Sequence, residues 1–463
     1  MKITIPVLII LYTILVFNFI PSYQQSAKTE KIIINDPNLK AELVSDELER
    51  PTTMAFLGPN DILVLEKNKG TVQRIIDGKM LPEPVLDVNV ANKIERGLLG
   101  IAVSKNITNG TNQPIYVFLF YTEAEVEGSD ICPVAGEPCT GGPIPLGNRL
   151  YRYELIDNKL INPVLLLDLP ATPSPSHDGG VVKIGSDNNV YVIVGDLNFN
   201  KIESAYTLAQ NAIDGPFPDG RGGILRVTQN GEVVDGIGIL GDRDPLNKYY
   251  AYGIRNSFGI GFDPVTGNLW DTENGASHGD EINLVEPGFN SGHKGLMGLA
   301  SLSDGFDPDR DLVDFGGKGK YSDPEFEWFE TIAPTAITFL NSDKLGKQYE
   351  NDMFVGSAKD TLYHFDLNQD RTALLLDGTL SDKIADSDIE NEGITFAKGL
   401  GTITDLEVGP DGYLYVVSYF GGAIYRIVPM NNGPSTIDTT EDVEAPEVPE
   451  DIVDVEEEEE EEE

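Results

Sequence analysis

VGPDGYLYVVSYFGGAIYRIV, residues 408–428, reads as one complete unit of β-structure. A Gly-Pro-Asp-Gly turn pre-sets the backbone, and a run of aromatic and β-branched residues follows. Gly421-Gly422 then turns the chain back into a second such run. The same shape recurs along the chain. DILVLEKNKGTVQRII (61–76) reads as a hairpin about Asn68-Lys69-Gly70, and NVYVIVGD (189–196), NLWDTENG (268–275) and DMFVGSAKDTLYHFDL (352–367) repeat it. QPIYVFLFYT and GNRLYRYEL add another strand pair, and the related turn phrases LGPND, IGSDN and FDPVTG open three of the other units.

Units start near residues 57, 103, 184, 262, 350 and 408, and helical periodicity is nearly absent. Recurring β-units with a shared turn phrase predict an all-β fold: one six-bladed β-propeller of four-stranded antiparallel blades over residues 40–430. A β-sandwich is disfavoured, because it has no need of a repeated turn phrase.

The net charge is −43: sixteen acidic residues and no Lys or Arg follow Pro434, and an excess of 27 negative charges lies on the rest of the chain. Residues 431–463 are therefore read as a solvated, disordered acidic tail. The acidic balance excludes nucleic acid as a partner, since phosphate contacts need clustered cations. At the other end, Lys2 precedes an apolar run from Ile3 to Ile20, which predicts a signal peptide or membrane anchor over 1–22 and a linker over 23–39. The propeller is then exported, extracellular or pseudoperiplasmic, or membrane-anchored. Cys132 and Cys139 lie in one Gly/Pro-rich loop and are expected to form a disulfide outside the cytoplasm. Sequons at Asn106 and Asn109 suit the same outward-facing setting.

Four histidines occur in the whole chain. His177 stands in TPSPSHDGGVVKIG, beside Asp178 and two glycines that let backbone approach closely, where an imidazole can serve as a general base. A turn-capping histidine is the plainer reading. Arg255 and Asn256 follow the strand YYAYGI, where the guanidinium offers a planar fork to a carboxylate or a quinone-like oxygen, or pairs with a carboxylate of the next blade. Glu273, Asp280 and Glu281 surround Gly275-Ala276, oxygen donors of the kind that suit Ca²⁺, without an EF-hand spacing. Lys359 sits at a hairpin tip.

These phrases resemble the glucose/sorbosone dehydrogenase family, the soluble quinoprotein aldose dehydrogenases. ERPTTMAFL (49–57), ERGLLGIAV (95–103), SHDGGVVKIGSDNNVYVIVGD (176–196), AYGIRNSFGIGFDPVTGNLWDTENG (251–275), GDEINLVEPGFNSG (279–292) and TDLEVGPDGYLYV (404–416) carry the resemblance in order. It implies a six-bladed propeller that binds pyrroloquinoline quinone (PQQ) with Ca²⁺ and oxidises an aldose sugar or related alcohol by hydride transfer to the quinone. On this resemblance His177 falls on the base, and Arg255 and Asn256 on a cofactor-binding pair. Gly275 and Ala276 fall on the backbone carbonyls that hold the calcium, with Asp280 and Glu281 beside them. Lys359, and Trp328 with Thr331, fall on cofactor contacts, and Glu95 takes the place of a glutamine. Two arginines expected near the last blade are Thr402 and Thr404 here. That departure keeps two alternatives open: a non-catalytic extracellular propeller that binds glycan or protein, and a Ca²⁺-dependent lactonase-type hydrolase using carboxylates such as Glu95 and Asp280. Sugar, electron acceptor and oligomeric state carry no signal in the sequence.

Overall fold

A computed structural model describes residues 30–104, 115–125, 144–430 and 444–445. The N-terminal apolar run, the cysteine pair, both sequons and nearly all of the acidic tail lie outside these residues.

The chain is an all-β propeller. Among the described residues six sheets of four to six strands follow one another, each beginning with the strand nearest the axis: Pro51–Gly58, Leu98–Val103, Val182–Ile184, Ser257–Phe262, Pro334–Phe339 and Ile403–Val408. Each of these inner strands packs against the next, and Ile403–Val408 returns to pack on Pro51–Gly58, so the ring closes. The predicted hairpins form as read. Asp61–Glu66 pairs with Thr71–Ile76, Met353–Ser357 with Thr361–Phe365, and Leu414–Ser418 with Ala423–Pro429. At the first of these tips Gly70 has φ 71°, a left-handed value that its missing Cβ permits.

The second strands Asp61–Glu66, Val190–Val194 and Leu414–Ser418 have both faces covered by neighbouring sheets, which is why these runs are largely apolar rather than alternating, whereas an outer strand such as Lys159–Leu169 is largely exposed. Six apolar clusters result, one between each pair of adjacent sheets. Leu63, Leu98 and Val117 join the first and second sheets, and Met54, Ile62 and Val417 join the last to the first. Across the axis, Lys183 on the third inner strand pairs with Glu407 on the sixth. Met54 N–H donates to Asp405 Oδ2 at 2.8 Å beside that pair.

Two expectations are corrected. The sheets are not uniformly four-stranded and antiparallel, because insertions between the main strands add short parallel pairs: Tyr249–Tyr252 with Phe289–Asn290, that strand with Lys320–Tyr321, and Phe326–Trp328 with Ile384–Ala385. The body also begins before residue 40. Ile33–Ile34 adds an edge to the fifth sheet, and Leu39–Ser45 closes the sixth sheet against Ala423–Pro429. An N-terminal strand closing the last sheet ties the two ends of the ring together and leaves no open seam.

Candidate active site

In an antiparallel sheet the chain enters the first strand and leaves the second on the same side. Residues just before an inner strand and just after its neighbour therefore share one face of the ring. Arg50, Glu95, His177, Arg255, Asn256 and Thr331 precede inner strands, whereas Lys67, Asp196, Gly275 and Lys359 follow second strands. The topology alone thus gathers most of the predicted site on one face.

His177 is held there with φ 67°, an uncommon value for a residue with a Cβ and one that surrounding contacts must impose. Its N–H donates to Glu95 Oε2 at 2.5 Å, and the Asp178 N–H reaches the same oxygen at 3.2 Å. Gly195 makes the approach possible, since a Cβ there would lie 2.4 Å from the His177 carbonyl and 2.7 Å from that of Arg255. The imidazole is buried, with Nδ1 2.6 Å from Asp196 Oδ1 and its edge against Phe199. Asp196 Oδ2 lies 2.9 Å from His293 Nε2. Burial opposes the ionisation of Asp196, but hydrogen bonds from the two histidines outweigh it and hold the carboxyl far below its usual range.

Burial lifts Glu95 to about 7, against the opposing influence of His177, and lifts Asp178 to about 7 despite a hydrogen bond from Asn148 at 3.0 Å. Lys67 is pushed down to about 7 by the same burial and reaches the Ile94 carbonyl at 2.6 Å. Two carboxyls and an amine that all titrate near neutrality make this wall of the site sensitive to pH.

Arg255 is buried, and its Nη1 donates to the carbonyls of Asn274 and Gly275, each at 2.9 Å. Its N–H meets Glu273 Oε1 at 2.6 Å. Asn256 keeps a buried Oδ1 with no partner among the described residues. Lys359 Nζ donates to the Thr331 carbonyl at 2.8 Å, so these two predicted residues meet. Thr402 and Thr404 spend their hydroxyls on the Ala358 and Pro51 carbonyls.

Three expectations receive different places. Trp328 is fully buried in the apolar cluster between the fourth and fifth sheets, edge-on to Phe326 at 4.9 Å, and offers no surface to a bound molecule. It belongs to a short strand whose three residues are all buried. Asp280 accepts the backbone N–H groups of Gly275, Ile332 and Ala333 at 2.8, 2.5 and 2.8 Å, which shapes the turn. Glu281 accepts the Gly298 N–H at 2.5 Å, and burial beside Glu273 raises its carboxyl well above the usual range. Calcium wants roughly six to eight oxygens. At Gly275 the carbonyl already faces the Arg255 guanidinium, and among the described residues no group of three metal-ligating side chains gathers at this turn, so calcium there would need oxygens from elsewhere.

Sequence reasoning missed Asp196, His293 and Arg50. Asp196 ends the strand phrase NVYVIVGD, a polar residue after a buried run, which is a weak signal. His293 had none, lying 97 residues from its partner. Arg50 stacks over Tyr419 and Phe420 on the same face, with 5.5 and 5.1 Å to the ring centres. A cleft of about 460 Å³, lined by Tyr206, Asn211 and Lys294, opens beside His293. A second, of about 400 Å³, is lined by His278, Met297 and Phe329. Neither is lined by His177, Arg255 or Lys359, so hydrogen-bond geometry rather than cavity shape locates the chemistry.

The model of the glucose/sorbosone dehydrogenase family matches residues 48–426. The chain belongs to that family. The chain is 25% identical over 395 residues to aldose sugar dehydrogenase YliI of Escherichia coli strain K12, covering 85% of this chain and 94% of that protein. It is 26% identical over 295 residues to quinoprotein glucose dehydrogenase B of Acinetobacter calcoaceticus, covering 60% and 55% of the two chains. The crystal structure of an oxidoreductase described as a glucose dehydrogenase, from Thermus thermophilus, superposes with a TM-score of 0.62 at 26% identity, over 84% of this chain and all of that one. The region matched by the family model takes in all six inner strands and ends within the last hairpin, leaving out the closing strand Leu39–Ser45.

Proposed function

We propose that this chain is a quinoprotein sugar dehydrogenase, built on a six-bladed propeller, that oxidises an aldose or related alcohol with PQQ. The blade count is supported by the six sheets and by the closed ring of inner strands. The observation that carries the catalytic reading is the buried pair of His177 Nδ1 and Asp196 Oδ1 at 2.6 Å. An ionised carboxylate only accepts, so His177 carries its proton on Nδ1 and presents the Nε2 lone pair. Nε2 then takes the hydroxyl proton of the substrate while Asp196 steadies the resulting imidazolium.

The residues present fit a polyanionic quinone. Arg255 and Lys359 supply positive charge, and the orphaned Asn256 Oδ1 awaits a donor. PQQ, when bound, supplies a two-electron acceptor for the hydride that leaves the alcohol carbon. Arg255 and Lys359 would hold its carboxylates, and Arg255 also ties the Asn274–Gly275 turn to the site. Calcium at Gly275 and Ala276 enters this reading only with oxygens supplied by a bound group. Export through residues 1–22 and an external electron acceptor remain part of the proposal.

One observation favours a second reading, a propeller that binds without catalysis: Thr402 and Thr404 face backbone carbonyls and bring no cation. The lactonase-type alternative is weakened because Asp280 and Glu281 are committed to backbone N–H groups. Titrating the protein with PQQ, with and without Ca²⁺, and following the bound quinone spectrum separates the two. Saturable binding that is lost in a Lys359→Ala, Arg255→Ala double variant supports the dehydrogenase, and no binding at any concentration contradicts it.

A further inference from the structure

We propose that His293 is a positioning residue for His177, acting through the carboxylate the two rings share, and that the rings compete for its charge. The proposal rests on the reading of His177 as the hydroxyl base.

Asp196 is 2% exposed. Its Oδ1 accepts from His177 Nδ1 at 2.6 Å and from the Asn198 N–H at 2.8 Å, and its Oδ2 accepts from His293 Nε2 at 2.9 Å. Because a carboxylate has no proton to give, both imidazoles must place theirs on the nitrogen facing it. One anion thus fixes two tautomers. It also divides its stabilising charge, since a proton gained by either ring draws the carboxylate toward that ring and away from the other.

His293 is locked into this role. Its N–H donates to the Gly253 carbonyl at 2.9 Å, its carbonyl accepts from Asn211 Nδ2 at 2.7 Å, and its ring stands edge-on to Tyr206 at 5.8 Å. A simple packing role would not need a nitrogen aimed at Oδ2. A proton relay is also disfavoured: with the carboxyl held far below its usual range, Asp196 stays ionised and does not carry protons between the rings. Competition for charge is what remains.

The other ionisable groups around this trio come from several elements. Glu95 binds the His177 N–H, and Asp178 adjoins it. Arg221 Nη1 lies 3.3 Å from the Asp196 carbonyl and is itself paired with Asp219 at 2.7 Å. Lys294, paired with Glu203 at 2.5 Å, lies over Tyr206. Arg255 enters through its carbonyl, which accepts the Asp196 N–H at 2.8 Å. Among the described residues, only His177 and His293 donate a side-chain hydrogen bond to Asp196.

The test uses the full-length protein, whose four histidines make imidazole NMR signals assignable. In His293→Phe the His177 titration is expected to move to higher pH by roughly one unit, because the carboxylate then serves one ring. The acid limb of kcat/KM for sugar-dependent dye reduction should move with it. His293→Gln, which keeps a neutral donor, should shift the titration upward by less, and it carries the test should the Phe variant fail to fold. An unmoved His177 titration in the folded variants overturns the proposal, as does a uniform drop in kcat/KM with no displacement of the profile. If His177→Ala retains full turnover, the base reading fails, while the titration still decides whether the two rings are coupled.

Discussion

The guanidinium of Arg255 lies 2.9 Å from the carbonyl oxygen of Gly275. A permanent cation therefore occupies one of the two carbonyls that the family resemblance assigns to calcium, and it bridges to Asn274 at the same distance. Arg255→Ala should lower the unfolding free energy in a urea titration by about 2–3 kcal/mol, the scale of a buried charge-assisted hydrogen bond. Arg255→Lys should recover less than half of that, because the lysine stem ends one atom short of Nη1, the single nitrogen that donates to both carbonyls. Added Ca²⁺ without PQQ should leave the melting temperature of the wild type unchanged.

Asp196→Asn keeps the shape of the residue and removes the charge. An amide presents N–H to one of the two histidines, which forces a wrong tautomer or breaks a hydrogen bond. Turnover is expected to fall by about 10²–10⁴-fold with PQQ binding retained, measured by steady-state dye reduction beside a cofactor titration.

Glu273 and Glu281 oppose each other directly on neighbouring strands, and Ser291 Oγ lies 2.5 Å from Glu273 Oε2. Burial, with Asp271 adding to it, pushes Glu273 up to about 8. Between the ordinary glutamate range and pH 8 the folded state keeps a proton that the unfolded state has released, so stability should decline as pH rises through that window. Glu273→Gln should flatten the decline, as read from melting temperatures between pH 5 and 9. An unchanged slope would refute the assignment.

Trp328→Phe should cost stability without touching the site. The indole is 0% exposed, and its Nε1 has no partner among the described residues. Loss of part of a buried aromatic predicts a penalty of roughly 1–3 kcal/mol. PQQ affinity should match the wild type, whereas a tenfold loss of affinity with unchanged stability would restore Trp328 to the cofactor.

The blades were legible because each is written locally: a turn phrase, an apolar run, a glycine corner. Leu39–Ser45 and Ile33–Ile34 were not, since their partners lie at the far end of the chain and distant pairing leaves no local pattern. The same holds within the site. His177 and Arg255 are legible as polar residues beside strands and Lys359 only through the family resemblance, yet Asp196 and His293 acquire meaning only when the third sheet and its insertion fold together. Trp328 differs for the opposite reason: a resemblance in sequence implies a contact with the cofactor, while in the fold the ring packs against Phe326, Tyr363 and Phe365.

The most direct test of the central claim is rapid mixing of an aldose with PQQ-loaded protein, following reduction of the bound quinone in wild type and His177→Ala. The account predicts reduction in the wild type and a rate about 10²–10⁴-fold lower in the variant, with the quinone still bound. Reduction at the wild-type rate in His177→Ala, or none in the loaded wild type with any aldose, would contradict it.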